Sequence, residues 1–139
     1  MKRILFLDVT GVLNSQADCG MDGLGDSHLC ELKRIVDETQ CQIVLTSSWR
    51  LAVDLMEKLR LAFERHNIPI WIDSTPDLSG DRAEEIQAWI EENGPCISVV
   101  VDDYCDGFDA NGLRFVQTSF ARGLTFELSN EIIVAFGSQ

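Results

Sequence analysis

Residues 4–14 of this 139-residue chain read ILFLDVTGVLN. An apolar run from Ile4 to Leu7 ends abruptly in Asp8, and Gly11 follows at once. Such an apolar run predicts a strand, and the runs Ile43-Val44-Leu45 and Val99-Val100-Val101, apolar on consecutive residues, predict central strands of a parallel sheet covered on both faces. A carboxylate at the tip of such a strand calls for a partner, because an unpaired buried anion is costly.

Working outward, apolar and β-branched runs at 42–45, 68–72, 97–101 and 113–117 predict four more strands. Segments of helical period lie between them. Over 28–40 the apolar groups recur at Leu29, Leu32, Ile35 and Val36, with Ser27 placed to cap. Residues 50–66 bring Leu55, Met56, Leu59, Ala62 and Phe63 onto one face. Residues 81–93 carry Ile86, Trp89 and Ile90 and stop at Gly94-Pro95, while Thr125 is placed to cap a last helix with Leu128, Ile132 and Phe136 aligned. Strand and helix alternate from end to end, which predicts an α/β fold with a five-stranded parallel sheet and helices on both faces, 1–139 forming one domain. Ligands of such sheets bind beyond the carboxyl ends of the strands.

Composition narrows the function classes. The hydrophobic fraction of 45% and the absence of any apolar stretch near the roughly 20 residues of a membrane span predict a cytoplasmic protein with no membrane partner. Five widely spaced cysteines (Cys19, Cys30, Cys41, Cys96, Cys105) form no CxxC pair and argue against a zinc site or a disulfide framework. A net charge of −12 repels a phosphate backbone, so no extended binding to DNA or RNA is expected. A small anion can still enter if a metal and a few arginines reverse the local field.

Three predicted strands end in chemistry: the first in Asp8, the second in Thr46-Ser47-Ser48-Trp49-Arg50, the fourth in Asp102-Asp103. Carboxylates gathered on one rim repel each other unless a cation neutralises them. Hard oxygen ligands of this kind suit Mg²⁺, and the hydroxyls and arginine beside it complete a phosphate cradle.

At these residues the chain resembles a known family. FLDVTGVLN is similar to the first motif of the haloacid dehalogenase (HAD) superfamily, an apolar strand followed by Asp-x-Asp-Gly. IVLTSS resembles its second motif, VVVDDYCDG its fourth, and Arg82 in GDRAEEIQAWI is the best match to the basic third. TSSWR, the RAEEIQAW stretch and the late GLT resemble the small HAD domains associated with RNA-repair proteins, with the phosphatase domains of polynucleotide kinase-phosphatases as more distant relatives. The resemblance implies a HAD-type Rossmann-like three-layer sandwich and a Mg²⁺-dependent phosphohydrolase. It makes Asp8 the nucleophile that forms an aspartyl-phosphate. Mg²⁺ ligands would come from Asp8, the Thr10 carbonyl, and Asp102 or Asp103. Thr46, or Ser47, would bond a phosphate oxygen, and Arg82 would hold the phosphoryl group.

Thr10 departs from the family pattern, which places an acid/base Asp there. A hydroxyl is too weak an acid to replace it near neutral pH, and such help is worth about 10²–10⁴ in rate. Three outcomes stay open: a slow phosphatase, a substrate with a good leaving group, or a stand-in carboxylate among Asp18, Asp22 and Asp26. Two alternatives to turnover stand beside these. One is a degenerate module that binds Mg²⁺ or a phosphorylated ligand; the other is a phosphotransferase whose aspartyl-phosphate persists, as in the Asp-x-Thr-Gly motif of P-type ATPases.

For the remaining residues plain structural roles are expected. Arg50 is either a substrate-anion contact or a surface ion pair. Trp49, Trp71 and Trp89 are read as packing groups in preference to base-stacking ones. His28 and His66 are read as having no chemical role, Asp106 and Asp109 as loop acids, and Arg114 and Arg122 as surface charge. The loop at 12–27 is too short for a folded cap, and only nine residues separate the third predicted strand from Arg82. An open site admits a small phosphorylated substrate or a short nucleic-acid end.

Overall fold

In the computed structural model, which describes residues 1–20, 23–78, 81–105, 107–108 and 112–137, five parallel strands form one sheet. In chain order they are β1 (Arg3–Leu7), β2 (Gln42–Leu45), β3 (Asp73–Ser74), β4 (Ile97–Asp102) and β5 (Phe115–Gln117). Their spatial order is β3-β2-β1-β4-β5. The chain winds outward from β1 in one direction and then the other, so a crevice opens where β1 and β4 lie side by side. Leu7 pairs with Leu45 on one side and with Val101 on the other. Asp8, Thr46 and Asp102 therefore emerge from the same rim.

Consecutive apolar residues serve both faces of the sheet. Leu5, Leu7, Ile43, Leu45, Val99 and Val101 point to a core shared with α1 (Asp26–Thr39), α2 (Val53–Arg65) and α4 (Phe126–Gly137). Ile4, Phe6, Val44 and Val100 point to the opposite core, under α3 (Arg82–Asn93). There the Phe6 and Trp89 rings meet edge to face, 5.6 Å between centroids. Among the described residues no helix is long and apolar enough to cross a membrane.

Several boundaries differ from the sequence reading. The third strand is not 68–72 but the two residues Asp73–Ser74, although Ile72 N–H already donates to Ile43 O. Pro69 supplies no backbone donor, and Ile70 and Ile72 remain half exposed, so the segment runs alongside the sheet before joining its edge. β5 is likewise trimmed to Phe115–Gln117.

Ser27 does not cap α1. The helix starts two residues earlier, at Asp26 behind Gly25, and Asp18 accepts from both Ser27 N–H and its hydroxyl, holding the first turn from the preceding loop. The segment 50–66 is split, with a 3₁₀ turn at Ser48–Leu51 before α2. Thr125 does cap α4, accepting from Leu128 N–H at 3.2 Å, and Gly94 closes α3 at φ +94°.

Candidate phosphoryl-transfer site

Asp8 is the first residue beyond β1. Its N–H continues the ladder to Val101 O at 3.1 Å, which fixes the backbone and leaves the side chain over the crevice. The residue is 1% exposed. Asp102 ends β4 and is fully buried, and Tyr104 N–H donates to its Oδ1 at 3.0 Å. Asp103 follows, half buried, against the turn at Gly11. One oxygen from each of these three carboxylates lies within 4.8 Å of the others.

Arg82 enters from the opposite face at the first turn of α3, a helix capped by the Asp81 side chain. Its Nη1 stands 3.0 Å from Asp8 Oδ1 and donates to Asp102 Oδ2 at 2.5 Å. Burial opposes the guanidinium charge, but Asp8 and Asp102 outweigh it and raise its pKa. Burial pushes the Asp8 carboxyl above its ordinary range, and the charge of Asp103 adds to this against the pull of Arg82. Asp102 is pushed up to about 6, by burial first and by Asp8 second. Burial and then the bond and charge of Asp102 also raise Asp103. Three carboxylates facing this one guanidinium leave a surplus of two negative charges when all ionise, the charge a divalent cation cancels.

Unsatisfied groups mark the same spot. Among the described residues, neither oxygen of Asp8 has a geometrically formed hydrogen bond, Oδ1 having only the ion pair with Arg82, and the buried Thr46 hydroxyl has none. Thr46 N–H donates to Leu7 O at 2.9 Å, which seats it beside Asp8 on the next strand. Buried polar groups are normally paired, so orphans at a strand rim point to an occupant. All the side chains offer hard oxygen donors, and the set fits Mg²⁺ with a phosphoryl group beside it.

The other residues singled out in the sequence are placed differently. Ser47 is buried and its hydroxyl caps the 3₁₀ turn, accepting from Trp49 N–H at 3.1 Å. Arg50 is neither a surface ion pair nor an open anion contact. It donates to the carbonyls of Thr46, Ser47, Thr75 and Pro76 and pairs at 3.1 Å with the buried Glu85. Backbone oxygens thus occupy the donors expected to meet substrate. The Thr10 hydroxyl accepts from Trp49 Nε1 at 3.2 Å. Trp89 donates to Asp73 and Trp71 packs on Phe63, so the tryptophans serve packing.

Of the stand-in acids, Asp18 is held by Ser27, which lowers its pKa, and Asp26 pairs with His66 at 2.9 Å. Asp22, Asp106 and Asp109 lie outside the described residues. His28 is a buried pin, bonding Ser15 Oγ at 2.8 Å and Leu124 O at 2.9 Å.

Asn14, Tyr104 and Thr118 also belong to this neighbourhood, and the sequence reading passed over all three. Thr118 was findable. It directly follows β5, and the strand-end rule that selects Asp8, Thr46 and Asp102 selects it too.

Fold and rim together define an α/β phosphohydrolase-like module with its acidic site at the topological switch. The profile of the HAD domain in Swiss Army Knife RNA repair proteins matches residues 4–128, and the chain belongs to that family of the HAD superfamily. HAD domains generally use Mg²⁺. No curated protein and no solved structure gives a significant match.

Proposed function

We propose that this chain is a cytoplasmic Mg²⁺-dependent phosphohydrolase acting on a phosphomonoester, a nucleotide or short oligonucleotide end, through an aspartyl-phosphate on Asp8. The observation that carries this reading is the buried Asp8 carboxylate, without a hydrogen bond among the described residues and paired with Arg82 at Oδ1, beside the unbonded Thr46 hydroxyl and two more carboxylates. Asp8, Asp102, Asp103 and the Thr10 carbonyl would hold the metal, which when bound screens the repulsion between an anionic nucleophile and an anionic phosphate.

In the first step an Asp8 oxygen attacks phosphorus and the bond to the leaving oxygen breaks. The Thr46 hydroxyl donates to one phosphoryl oxygen, and Arg82 balances charge as it spreads over the others. The leaving oxygen takes its proton from water, since Thr10 is no acid near neutral pH. A water molecule then attacks phosphorus and gives up a proton to solvent, which balances the one taken by the leaving oxygen; the P–O bond to Asp8 breaks, and phosphate and the free carboxylate are released.

The substrate class rests on the family's association with RNA repair. Tyr104 is 66% exposed one residue beyond Asp103, and its ring is the aromatic surface proposed to stack a nucleobase. The test is Mg²⁺-dependent release of phosphate from nucleoside monophosphates and from 3′- and 5′-phosphorylated oligonucleotides. Release by the wild type and none by Asp8→Asn supports the proposal; equal release by both contradicts it.

A second reading has an observation of its own. The Trp49 indole occupies the Thr10 hydroxyl where the family pattern has an acid/base, which favours slow hydrolysis of the phosphorylated intermediate. Labelled phosphate retained on Asp8 after substrate removal distinguishes this phosphotransferase-like behaviour. A module that binds ligand without turnover would give neither label nor release.

A further inference from the structure

We infer that Asn14 and Thr118 form a clamp on the two peptides flanking Gly11, Asn14 setting the direction of the Thr10 carbonyl and Thr118 holding the plane that follows it, which makes them positioning residues for the divalent-cation site; this rests on the metal site proposed above. The Thr10 carbonyl and the Gly11 N–H belong to one planar trans peptide and point in opposite directions. Fixing one therefore fixes the other. Asn14 Oδ1 accepts from Gly11 N–H at 2.9 Å, in a fully buried bond, and Asn14 Nδ2 is itself anchored on Gly23 O at 3.2 Å.

The next peptide is held as firmly. Thr118 Oγ donates to Gly11 O at 2.6 Å, again in a buried bond. Both planes flanking Gly11 are thus pinned, at a residue whose φ of +79° would otherwise leave the chain its widest freedom.

The clamp is also tied to the acidic pair. Thr118 N–H donates to Asp102 O at 2.9 Å, so one residue ties the turn after Asp8 to the end of β4. Any side chain at position 11 would collide with the Asp103 carboxylate, which places this peptide against the cluster. Thr118 and Asn14 reach the site by way of backbone oxygens and N–H groups that they orient. Their role is pre-organisation of a carbonyl that a cation needs already turned toward it.

The test is calorimetric titration of Mg²⁺ into the wild type, Thr118→Val, Thr118→Ser and Asn14→Ser, with melting in the absence of metal to establish folding. Loss of an outer partner of this kind weakens metal affinity by roughly 10–100-fold. Thr118→Val and Asn14→Ser are expected to fall in that range. Thr118→Ser, which keeps the hydroxyl, should stay near wild type, and kcat of the weakened variants should recover at high Mg²⁺. Hydrogen exchange needs no variant: the wild-type Gly11 amide should exchange slowly without metal. Wild-type affinity in both Thr118→Val and Asn14→Ser, or a freely exchanging Gly11 amide, overturns the clamp alone. A wild type that binds no Mg²⁺ overturns the clamp and the proposed function together.

Discussion

Position 10 separates this chain's chemistry from that of the motif it resembles. The Trp49 indole donates to the Thr10 hydroxyl, and a carboxylate at position 10 could accept the same bond. Thr10→Asp should therefore fold and restore acid–base assistance. A rise in phosphatase turnover toward the roughly 10²–10⁴ range is expected, read as kcat with a poor leaving group. Unchanged kcat would show that proton transfer is not what the threonine site lacks. Tyr104 offers a second test at this scale. Its replacement by alanine should raise KM for a nucleoside monophosphate several-fold and leave KM for ribose 5-phosphate unchanged, because only the former has a base to stack. An equal effect on both substrates would remove the stacking role.

Elements position these residues through contacts that local sequence does not announce. Arg50 joins the end of β2, the 3₁₀ turn, the 75–76 segment and α3 through carbonyls and Glu85. Removing it takes the ion-pair partner from the buried Glu85, and losing one partner of such a pair costs about 3–5 kcal/mol. Arg50→Met should destabilise the protein by that order in chemical denaturation, and adding Glu85→Leu should recover most of the loss. No recovery in the double variant would mean that the carbonyl contacts dominate.

Legibility divides along the same line. The strands β1, β2 and β4, their sidedness and the acids at their tips were readable because apolar runs and strand-end residues are local in sequence. The role of Arg50 was not, because its partners lie up to 35 residues away. The edge strand β3 was misplaced because one proline and two exposed isoleucines interrupt a segment that still looks β-branched. Ser27 reads as a cap because nothing local shows that Gly25 holds the cap position and that Asp18, nine residues earlier, accepts from Ser27 in the first turn.

For the molecule as a whole, folding gathers three carboxylates at one rim of the sheet. A carboxyl whose folded pKa lies above its unfolded value favours the folded state below the unfolded pKa, and that contribution disappears as pH rises through the folded pKa. For Asp102 the window runs from 3.8 to about 6, and the shift is worth about 3 kcal/mol. Without metal, the unfolding free energy of the wild type relative to Asp102→Asn should fall by that order between pH 4 and pH 7. Saturating Mg²⁺ should reverse the fall, since a ligand of the native state stabilises it. A flat difference would mean that the cluster is not electrostatically strained. On the function proposed above, β1, β2, β4 and α3 converge on one phosphoryl-transfer centre at Asp8. A crystal structure grown with Mg²⁺ and beryllofluoride, a phosphoryl mimic, tests it most directly. The account predicts beryllium bonded to an Asp8 oxygen, within reach of the Thr46 hydroxyl and Arg82, with Mg²⁺ on Asp102 or Asp103. Beryllofluoride on another residue, or an untouched Asp8 still paired only with Arg82, would contradict it.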